Sequence, residues 1–527
     1  MAKREKEILL NQFLDLAEAL TDQENEIARK HIIAYDSNTT GESQKMFRLF
    51  REIVSKKTKN YDSLKEKISK DSSDVSFNRL IRRTLYRVQE SLIVEVNIDR
   101  KGMYSEIFRK RFEIRKRIMQ AYILHGKGLP EMANRVFDTI IKSTKSFELY
   151  DELIEALLLK QSIILSIKGR KSFDLINQQI DFYHLCRDLL QKTKNVYRIY
   201  SVDVYTKGIK ADKLKFLEEN MKIVQAYFQQ TKSANILSQY YLLEMEYYYL
   251  VDNIEAEEIT GLRLLDLMQN NKAVFSKPRI SYVYNSLSNT MYSSLNFDKC
   301  YTYIAESLKW SESKLNINYV IACEQQINSL FYLNDYDKAS GILNQVIDLP
   351  LLKKYPYHNS KVYYQQAMNH FAMMQYNDSK KLLSMLNEIE KDKEGWNIWV
   401  RIMRILCSVE IEKYNLLDYD LENLRKYFDR VEKINQVRKR DRMILSFLTD
   451  LNRNHFNYKE VAIKKADTLQ KLKSTHKDYK WDPKSPEMIL FHDWFEAKLN
   501  NKPYEPNFAP YRKEFDEKKL KVQKAIA

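Results

Sequence analysis

Glycine and proline are scarce in this chain, with nine of each among 527 residues. These two residues supply most tight turns, and a fold built from many short β-strands needs such a turn after almost every strand. Leucine, lysine, glutamate, glutamine and methionine, by contrast, supply strong helix formers along the whole chain. The composition therefore predicts an all-α fold.

Cysteine is rare as well, and the sequence carries no recognisable catalytic or metal-binding motif. It has no C-x-x-C pair, glycine-rich phosphate loop, G-x-S-x-G elbow or H-E-x-x-H sequence. The dipeptide His492–Asp493 stands alone and is far weaker than a paired metal-hydrolase signature. We therefore expect a protein without enzymatic activity, metal or cofactor. Single cysteines within helical stretches are predicted to be reduced core thiols: Cys186, Cys300, Cys323 and Cys407.

Long apolar runs are also absent. The most apolar stretch, residues 157–167, is interrupted by Lys160 and Gln161 and is shorter than the roughly 18 residues that a membrane-spanning helix needs. The first residues carry charges of both signs and no apolar region follows them, so we expect no secretory signal and no membrane association. Together with the unpaired cysteines, this pattern favours a cytoplasmic protein.

A short pattern returns every 39 to 44 residues. Each copy has a bulky residue, a polar pair and a small residue three positions after the bulky one, followed by apolar residues at helical spacing. The best copies are residues 297–300, 336–339 and 376–379. A recurrence of this kind is typical of stacked helical hairpins, in which each unit covers the apolar face of its neighbour. We therefore expect an α-solenoid of antiparallel helix hairpins.

The bulky residue of each copy marks the predicted start of the second helix of a hairpin. We expect a solenoid at residues 105–500, preceded by an N-terminal helical head or cap at residues 1–104 and followed by a C-terminal tail at residues 501–527. Following the pattern in both directions gives nine anchors: Leu129, Phe173, Leu214, Ile254, Phe297, Tyr336, Tyr376, Tyr419 and Tyr458.

The head and the tail have their own local signals. Thr21 and Glu24 form a capping box that opens a helix. Residues 56–76 are polar and are predicted to form a loop between helices. The tail contains three prolines and is expected to wrap the last repeat.

One unit, residues 317–350, shows why the pattern produces a hairpin. Val320, Ile321 and Phe331 fall at helical spacing in its first helix, and a polar pair at 334–335 breaks that helix. The second helix begins near Tyr336 and ends before a proline at 350. Ala339 is predicted to be small because two helix backbones cross there at about 8–10 Å, and Cys300 and Ser379 occupy the same slot.

The stretch from Asn328 to Pro350 resembles the junction and second helix of a tetratricopeptide repeat (TPR), and the resemblance is specific over residues 297–391. The chain departs from the family, because its units exceed the usual length of about 34 residues, the early aromatic is irregular, and Ser288, Ile327 and Ala367 stand where Gly or Ala is usual. The resemblance implies a degenerate TPR-like solenoid whose first helices line a surface that grips an extended peptide or a partner helix.

The resemblance also suggests where a ligand would bind. Peptide-binding members often carry an Asn eight residues before the anchor of the second helix, and this chain has Asn289 and Asn328 there. We interpret these either as contacts to a ligand backbone or as solvated residues of an inner helix. Neighbouring positions on the same predicted face hold Asn285, Tyr282, Tyr364 and Arg404.

Tyrosine is abundant, with 36 residues, and it is clustered at 240–241 and 247–249. Three consecutive residues on a helix spread over about 200°, so at least one of Tyr247, Tyr248 and Tyr249 should leave the core. These clusters are either ordinary wide-stripe core or part of a recognition surface.

Two basic runs and a formal charge of +16 suggest a nucleic-acid alternative. In the first run, Phe108, Phe112, Met119 and Ile123 are predicted to be buried, which leaves a basic face opposite them that is interrupted by Glu113. Both runs are interpreted either as solvated faces rich in ion pairs or as contacts to nucleic acid or an acidic partner. The residues are Arg109, Lys110, Lys116 and Arg117 in the first run, and Arg438, Lys439 and Arg440 in the second.

The sequence thus predicts a non-enzymatic scaffold, adaptor or regulatory subunit that binds a protein or peptide through the inner face of a TPR-like solenoid. The alternatives are a nucleic-acid-associated accessory protein and a sensor whose head is gated by a bound peptide. The identity of the partner, the oligomeric state and the role of the head do not follow from the residues.

Overall fold

Every regular element in the described part of the chain is a helix, and no β-strand occurs there, which confirms the predicted all-α fold. The computed structural model describes residues 2–34, 41–55, 60–94, 105–207, 209–311, 316–386, 388, 389, 392, 394–433 and 437–513. Within these ranges no helix is both long enough and apolar enough to cross a lipid bilayer. The chain divides into two compact units, residues 1–112 and 113–527.

The first unit contains α1 (Ala2–Ala19), α2 (Asp22–Ala34), α3 (Glu42–Val54), α4 (Tyr61–Ser69) and α5 (Asp74–Val94). The predicted capping box is confirmed, because Glu24 N donates to Thr21 Oγ1 at 3.2 Å and Thr21 N donates to Glu24 Oε2 at 2.8 Å. The loop predicted at 56–76 is wrong, since it contains α4. Asn60 caps this helix by accepting from Asp62 N. The core of the unit includes the fully buried Phe13, Ala28, Ile32, Leu49, Leu64, Ile81 and Val88.

The second unit is a succession of antiparallel helix hairpins that begins within α6 (Glu106–Gly126). Consecutive helices pack on one another along the chain. The following helices are α7 (Pro130–Ser146), α8 (Tyr150–Lys168), α9 (Arg170–Ile199), α10 (Tyr205–Lys207), α11 (Lys210–Thr231), α12 (Ala234–Leu250), α13 (Ile254–Asn270), α14 (Lys277–Ser293), α15 (Phe297–Trp310), α16 (Ile317–Tyr332), α17 (Tyr336–Ile347), α18 (Pro356–Ala372), α19 (Tyr376–Met385), α20 (Trp396–Glu410), α21 (Leu417–Glu432), α22 (Lys439–Arg453), α23 (Tyr458–Lys464), α24 (Ala466–Lys473) and α25 (Phe491–Leu499).

The elbows between paired helices share one backbone geometry, which explains the recurring sequence pattern. From α12 onward, each first helix is followed by a left-handed residue, and φ lies between 58° and 63° at Asp252, Leu295 and Asn334. The residue after it donates its backbone N–H back across the turn, for example from Asn296 N to Met291 O at 2.9 Å, as in a Schellman motif. That residue then caps the second helix, and Asn296 accepts from Lys299 N at 3.3 Å.

Most predicted anchors lie at these elbows. Ile254, Phe297, Tyr336, Tyr376 and Tyr458 are each the first residue of a helix, and Leu129 directly precedes α7. Phe173, Leu214 and Tyr419 lie inside the first turns of α9, α11 and α21. The hairpin period of 39 to 44 residues is therefore confirmed from α12 onward.

The unit predicted between Phe173 and Leu214 has no separate first helix. α9 runs for 30 residues and continues through a π-helical turn at Tyr200–Val204 into α10. The reason lies in the sequence, because residues 170–207 contain neither glycine nor proline, and nothing else interrupts the helix.

The small-residue slot is a helix-packing position, as expected. Cys300, Ala339 and Ser379 are all fully buried. Ser329 Oγ from the following first helix lies 3.0 Å from Cys300 Sγ. In the unit at 317–350, Val320 and Phe331 are buried, whereas Ile321, predicted on the same stripe, is 38% exposed.

The chain does not end at the last repeat but returns along the preceding ones. Residues 474–513, which we call the C-terminal segment, include α25 and reach back to α14, where Arg512 donates to Leu295 O at 3.2 Å. The tail was expected to wrap only the last repeat, so its described part extends farther than the sequence indicated.

Candidate functional site

The candidate site lies on one side of the first helices α12, α14, α16, α18, α20 and α22, which we call the inner face. On α14, Tyr282, Asn285 and Asn289 form one accessible stripe. Tyr282 is 51% exposed, Asn289 is exposed and Asn285 is half-buried. The structure therefore brings these three predicted residues together.

The other predicted inner-face residues have different environments. Asn328 Oδ1 accepts from Gln365 Nε2 at 2.7 Å, so its amide is already engaged. Tyr364 is buried, and its hydroxyl donates to Pro486 O at 2.7 Å. Arg404 lines a separate cavity of about 540 Å³ between α20 and α21. These three do not join the stripe on α14.

The C-terminal segment covers the inner face from the C-terminal end of α14, at Tyr292, to α22. Tyr292 on α14 donates to Pro483 O at 2.9 Å, and Tyr364 on α18 makes the equivalent bond to Pro486. Tyr332 on α16 packs its ring 5.7 Å from that of Trp481. On α20, Glu410 accepts from Trp494 Nε1 and Lys498 Nζ of the segment, at 2.6 and 2.8 Å.

Arg440 on α22 fixes the segment from within the core. Its side chain donates to both carboxylate oxygens of Glu487 at 2.5 and 2.7 Å, and both residues are at most 1% exposed. It also donates to Leu472 O, Tyr479 O and His492 Nδ1. A buried ion pair is tolerated only when its remaining hydrogen-bonding groups are satisfied, and this pair meets that condition.

His492 therefore belongs to a structural network. Burial, and then the neighbouring charge of Arg440, lower the pKa of His492 well below its usual range. Burial raises the pKa of Asp493 to about 7, and its carboxylate accepts from Asn507 N at 2.7 Å. Both side chains, which belong to the C-terminal segment, therefore help to hold its parts in place.

The second basic run does not form an open basic face. Arg440 was expected on the surface and is buried, because it pairs with Glu487. Arg438 pairs with the buried Asp441 at 2.7 Å, and the exposed Lys439 pairs with Asp478 at 3.0 Å.

The first basic run lies on α6, which buries a different side from the one predicted. Phe108, Met119 and Ile123 are 47–58% exposed and Phe112 is half-buried, whereas Ile114, Ile118 and Ala121 are buried. Lys116 and Arg117 are exposed, while Arg109 and Lys110 are partly buried. Arg117 pairs with Glu113 at 3.4 Å, as expected for residues four apart on a helix.

N-terminal to α14, the inner face is open and rich in tyrosine. Tyr249 on α12 is 46% exposed, and Tyr205, which follows the π-helical turn, is 51% exposed. Tyr200 within that turn donates to Glu246 Oε2 on α12 at 3.2 Å. Burial raises the pKa of Glu246, and the bond from Tyr200 and the charge of Lys213 oppose that shift. Such π-turns are frequent at functional sites.

A cavity of about 610 Å³ adjoins this stretch at the α12–α13 and α14–α15 elbows. Its most unusual lining residue is Glu257 on α13, which is only 2% exposed. Glu257 Oε1 accepts from Thr290 Oγ1 at 2.8 Å. Burial raises the pKa of Glu257 to about 8, and the charge of Glu246 adds to that rise.

The remaining charged residues around the cavity are mostly acidic. Lys299 is neutralised by Glu258, whose two oxygens lie 2.7 Å from its Nζ. Arg512 reaches the rim through its bond to Leu295 O. The other carboxylates of the lining are Asp252, Glu255 and Asp298.

The sequence patterns did contain a signal for Glu257, which is buried, and for Glu246, which is half-buried. Glu257 stands three residues after the anchor Ile254, in the slot where the next units carry Cys300, Ala339 and Ser379. Glu246 stands eight residues before the same anchor, in the slot of Asn289 and Asn328.

Comparison with known proteins adds little to this description. No protein-family model and no curated protein matches the chain. Among solved structures, the chain is similar to a Signal Transduction ATPase with Numerous Domains (STAND) protein with a tetratricopeptide repeat sensor from Pyrococcus horikoshii. The identity is 11% and the TM-score is 0.39, with 80% of this chain and 66% of that chain covered. This chain therefore spans just under two thirds of the length of that protein.

Proposed function

We propose that this protein is a non-enzymatic, TPR-like scaffold, adaptor or regulatory subunit that binds a partner protein or peptide through the open part of its inner face. The observation that carries the proposal is the way in which the inner face holds the chain's own C-terminal segment. Tyr292 and Tyr364 donate to the backbone carbonyls of Pro483 and Pro486, so this surface holds a non-helical stretch of chain by its main-chain groups.

The binding region for a partner is the stretch that the segment leaves uncovered. It comprises Tyr282, Asn285 and Asn289 on α14, together with Tyr249 on α12. Tyrosine and asparagine suit such a role, because a tyrosine ring packs while its hydroxyl remains available, and an amide both donates and accepts. The four buried cysteines, none of which forms a disulfide, support a cytoplasmic location.

A protein partner is favoured over nucleic acid because the basic side chains of the second run are engaged within the chain. Arg438, Lys439 and Arg440 all have acidic partners, and they would have to give these up to bind phosphate. A protein partner should remain bound when salt is raised, whereas nucleic acid binding should weaken steeply.

The test is affinity capture from the native host with identification of the bound protein, followed by a binding titration with purified components. The double variant Tyr282→Ala and Asn289→Ala should weaken binding by about tenfold or more and leave the melting temperature nearly unchanged, because both side chains are exposed. Tyr86→Ala is the control, since Tyr86 is 60% exposed in the first unit. Equal binding by the double variant and the control would refute the proposal.

A further inference from the structure

We propose that the cavity beside Glu257 binds a positively charged group, an ammonium or guanidinium, carried by the partner peptide. The proposal rests on the proposed function and names the chemistry that the open inner face would recognise. Three features support it: the burial of the Glu257 carboxylate, the space beside that carboxylate and the aromatic rings at the edge of that space.

The first step is that Glu257 lacks a counter-ion. Only 2% of its surface is exposed, and the hydrogen bond from Thr290 reaches only Oε1. Within the described residues, no lysine, arginine or histidine nitrogen forms an ion pair with this carboxylate, and Oε2 has no hydrogen-bond donor. Burying a carboxylate without a cation is costly, and the raised pKa of Glu257 is the expected consequence.

The second step is that packing does not explain this residue. Cys300, Ala339 and Ser379 occupy the equivalent slot and are fully buried, whereas Glu257 in that slot lines a cavity of about 610 Å³. α13 can approach α14 closely because Gly261, one turn after Glu257, lacks a side chain where a Cβ would lie 2.7 Å from Leu287. The cavity therefore persists beside two helices in close contact.

The third step is the sign of the charge. Five carboxylates line the cavity against two cations, and one of these, Lys299, is paired with Glu258. Around Glu257, α12 contributes Tyr249 and the nearby Glu246, and the C-terminal segment contributes Arg512. The remaining acids are Asp252 in the α12–α13 loop, which pairs with Lys210 at 3.6 Å, Glu255 on α13 and Asp298 on α15. This arrangement repels an anion and attracts a cation.

The fourth step is the presence of an aromatic ring, that of Tyr249, at the edge of the cavity. Tyr249 lines the cavity and is 46% exposed, and it leads to the open tyrosine-rich stretch that includes Tyr282. An exposed aromatic face next to a carboxylate attracts ammonium and guanidinium groups through cation–π contact as well as charge. A lysine or arginine side chain of a peptide lying on α12 and α14 would therefore end in this cavity.

The test is calorimetric titration of the full-length protein with agmatine, with tetramethylammonium, and with two short capped peptides that contain either arginine or its uncharged analogue citrulline. We expect the arginine peptide to bind at least about tenfold more tightly than the citrulline peptide, which corresponds to about 1.4 kcal/mol. Tighter binding of the peptide than of agmatine would identify a peptide side chain rather than a free amine as the ligand. The reverse order would assign the cavity to a free amine, and the peptide part of the proposal would fail.

The variant Glu257→Gln should weaken cation binding by about tenfold or more, and Glu155→Gln, at an exposed glutamate of α8 that does not line the cavity, is the control. Near pH 7 the wild type should also release close to one proton on binding, because a bound cation favours the ionised carboxylate; titrations in buffers with different ionisation enthalpies measure this release. The proposal is overturned if Glu257→Gln binds like the wild type, or if no cationic probe binds at about 10 mM. Capture of a partner that depends on Tyr282 and Asn289 would then still support the proposed function.

Discussion

Replacing Glu257 with glutamine should flatten the dependence of stability on pH. Burial raises the pKa of this carboxyl from 4.5 to about 8, so the folded protein keeps a proton that the unfolded chain has lost. The stability contributed by this proton is fully present below about pH 4.5 and is lost as the pH rises towards 8. Glutamine does not titrate and keeps a carbonyl that can accept from Thr290.

The size of the effect follows from the pKa difference. A rise of about 3.5 units, at 1.36 kcal/mol for each unit, corresponds to a loss on the order of 4 kcal/mol in the wild type between pH 4.5 and pH 8. The variant should therefore resemble the wild type near pH 5 and be several degrees more stable near pH 8. Asp493, whose pKa burial raises to about 7, adds the same trend to both proteins and cancels in the difference.

The assay is thermal unfolding at several values between about pH 5 and pH 8, followed by tryptophan fluorescence and compared by midpoint. Midpoints suit a chain with two compact units, which need not unfold in one step. Glu155→Gln is the control, because this exposed residue of α8 lies outside the cavity and should change the midpoint by an amount that does not grow with pH. Parallel curves for the wild type and Glu257→Gln would refute the reasoning.

Other perturbations test the contacts that hold the second unit together. Arg440→Met leaves Glu487 buried without a cation and should cost about 3–5 kcal/mol, seen as a lower urea midpoint, and adding Glu487→Leu should restore part of the loss. Tyr364→Phe removes one of the donors to Pro486 O and should cost about 1 kcal/mol in the same assay. The four cysteines are buried, and burial raises the pKa of Cys407 to about 11, so iodoacetamide should label none of them in the native protein at about pH 8 and all four in denaturant. Labelling of the native protein at the denatured rate would contradict the burial.

The hairpins could be predicted from the sequence because their signals are local. An elbow needs a left-handed residue, a polar cap and a bulky first residue within a few positions, as at Leu295, Asn296 and Phe297. These groups recur with each unit, so their spacing is visible without any tertiary information. The same locality explains the capping box at Thr21.

The errors have a common cause, which is that the deciding contacts lie far apart in the chain. α6 carries apolar residues on two sides, and only its neighbours determine that the side of Ile114 and Ile118 is buried. The C-terminal segment bonds to residues about 200 positions away, with Tyr292 and Pro483 separated by 191 and Leu295 and Arg512 by 217. Such pairs leave no periodic trace, so the burial of Arg440 could not be inferred.

The burial of the C-terminal segment decides between a permanent cover and a displaceable gate on the inner face. Trp481, Glu487, Phe491 and Trp494 are at most 1% exposed. Exposing three such aromatic side chains costs about 2–3 kcal/mol each, and separating Arg440 from Glu487 adds about 3–5 kcal/mol. Displacement would thus cost on the order of 10 kcal/mol, most of the free energy of a nanomolar complex.

We therefore expect the covered part of the inner face to serve stability and the part on α12 and α14 to serve recognition. Trp481→Ala separates the two cases, because it should lower stability by about 3–5 kcal/mol and leave the affinity of the folded protein for its partner unchanged. A displaceable gate would respond in the opposite way, since weakening its attachment would expose more of the face and tighten binding. Tighter binding by Trp481→Ala, measured at a temperature where the variant is folded, would show that the segment competes with the partner.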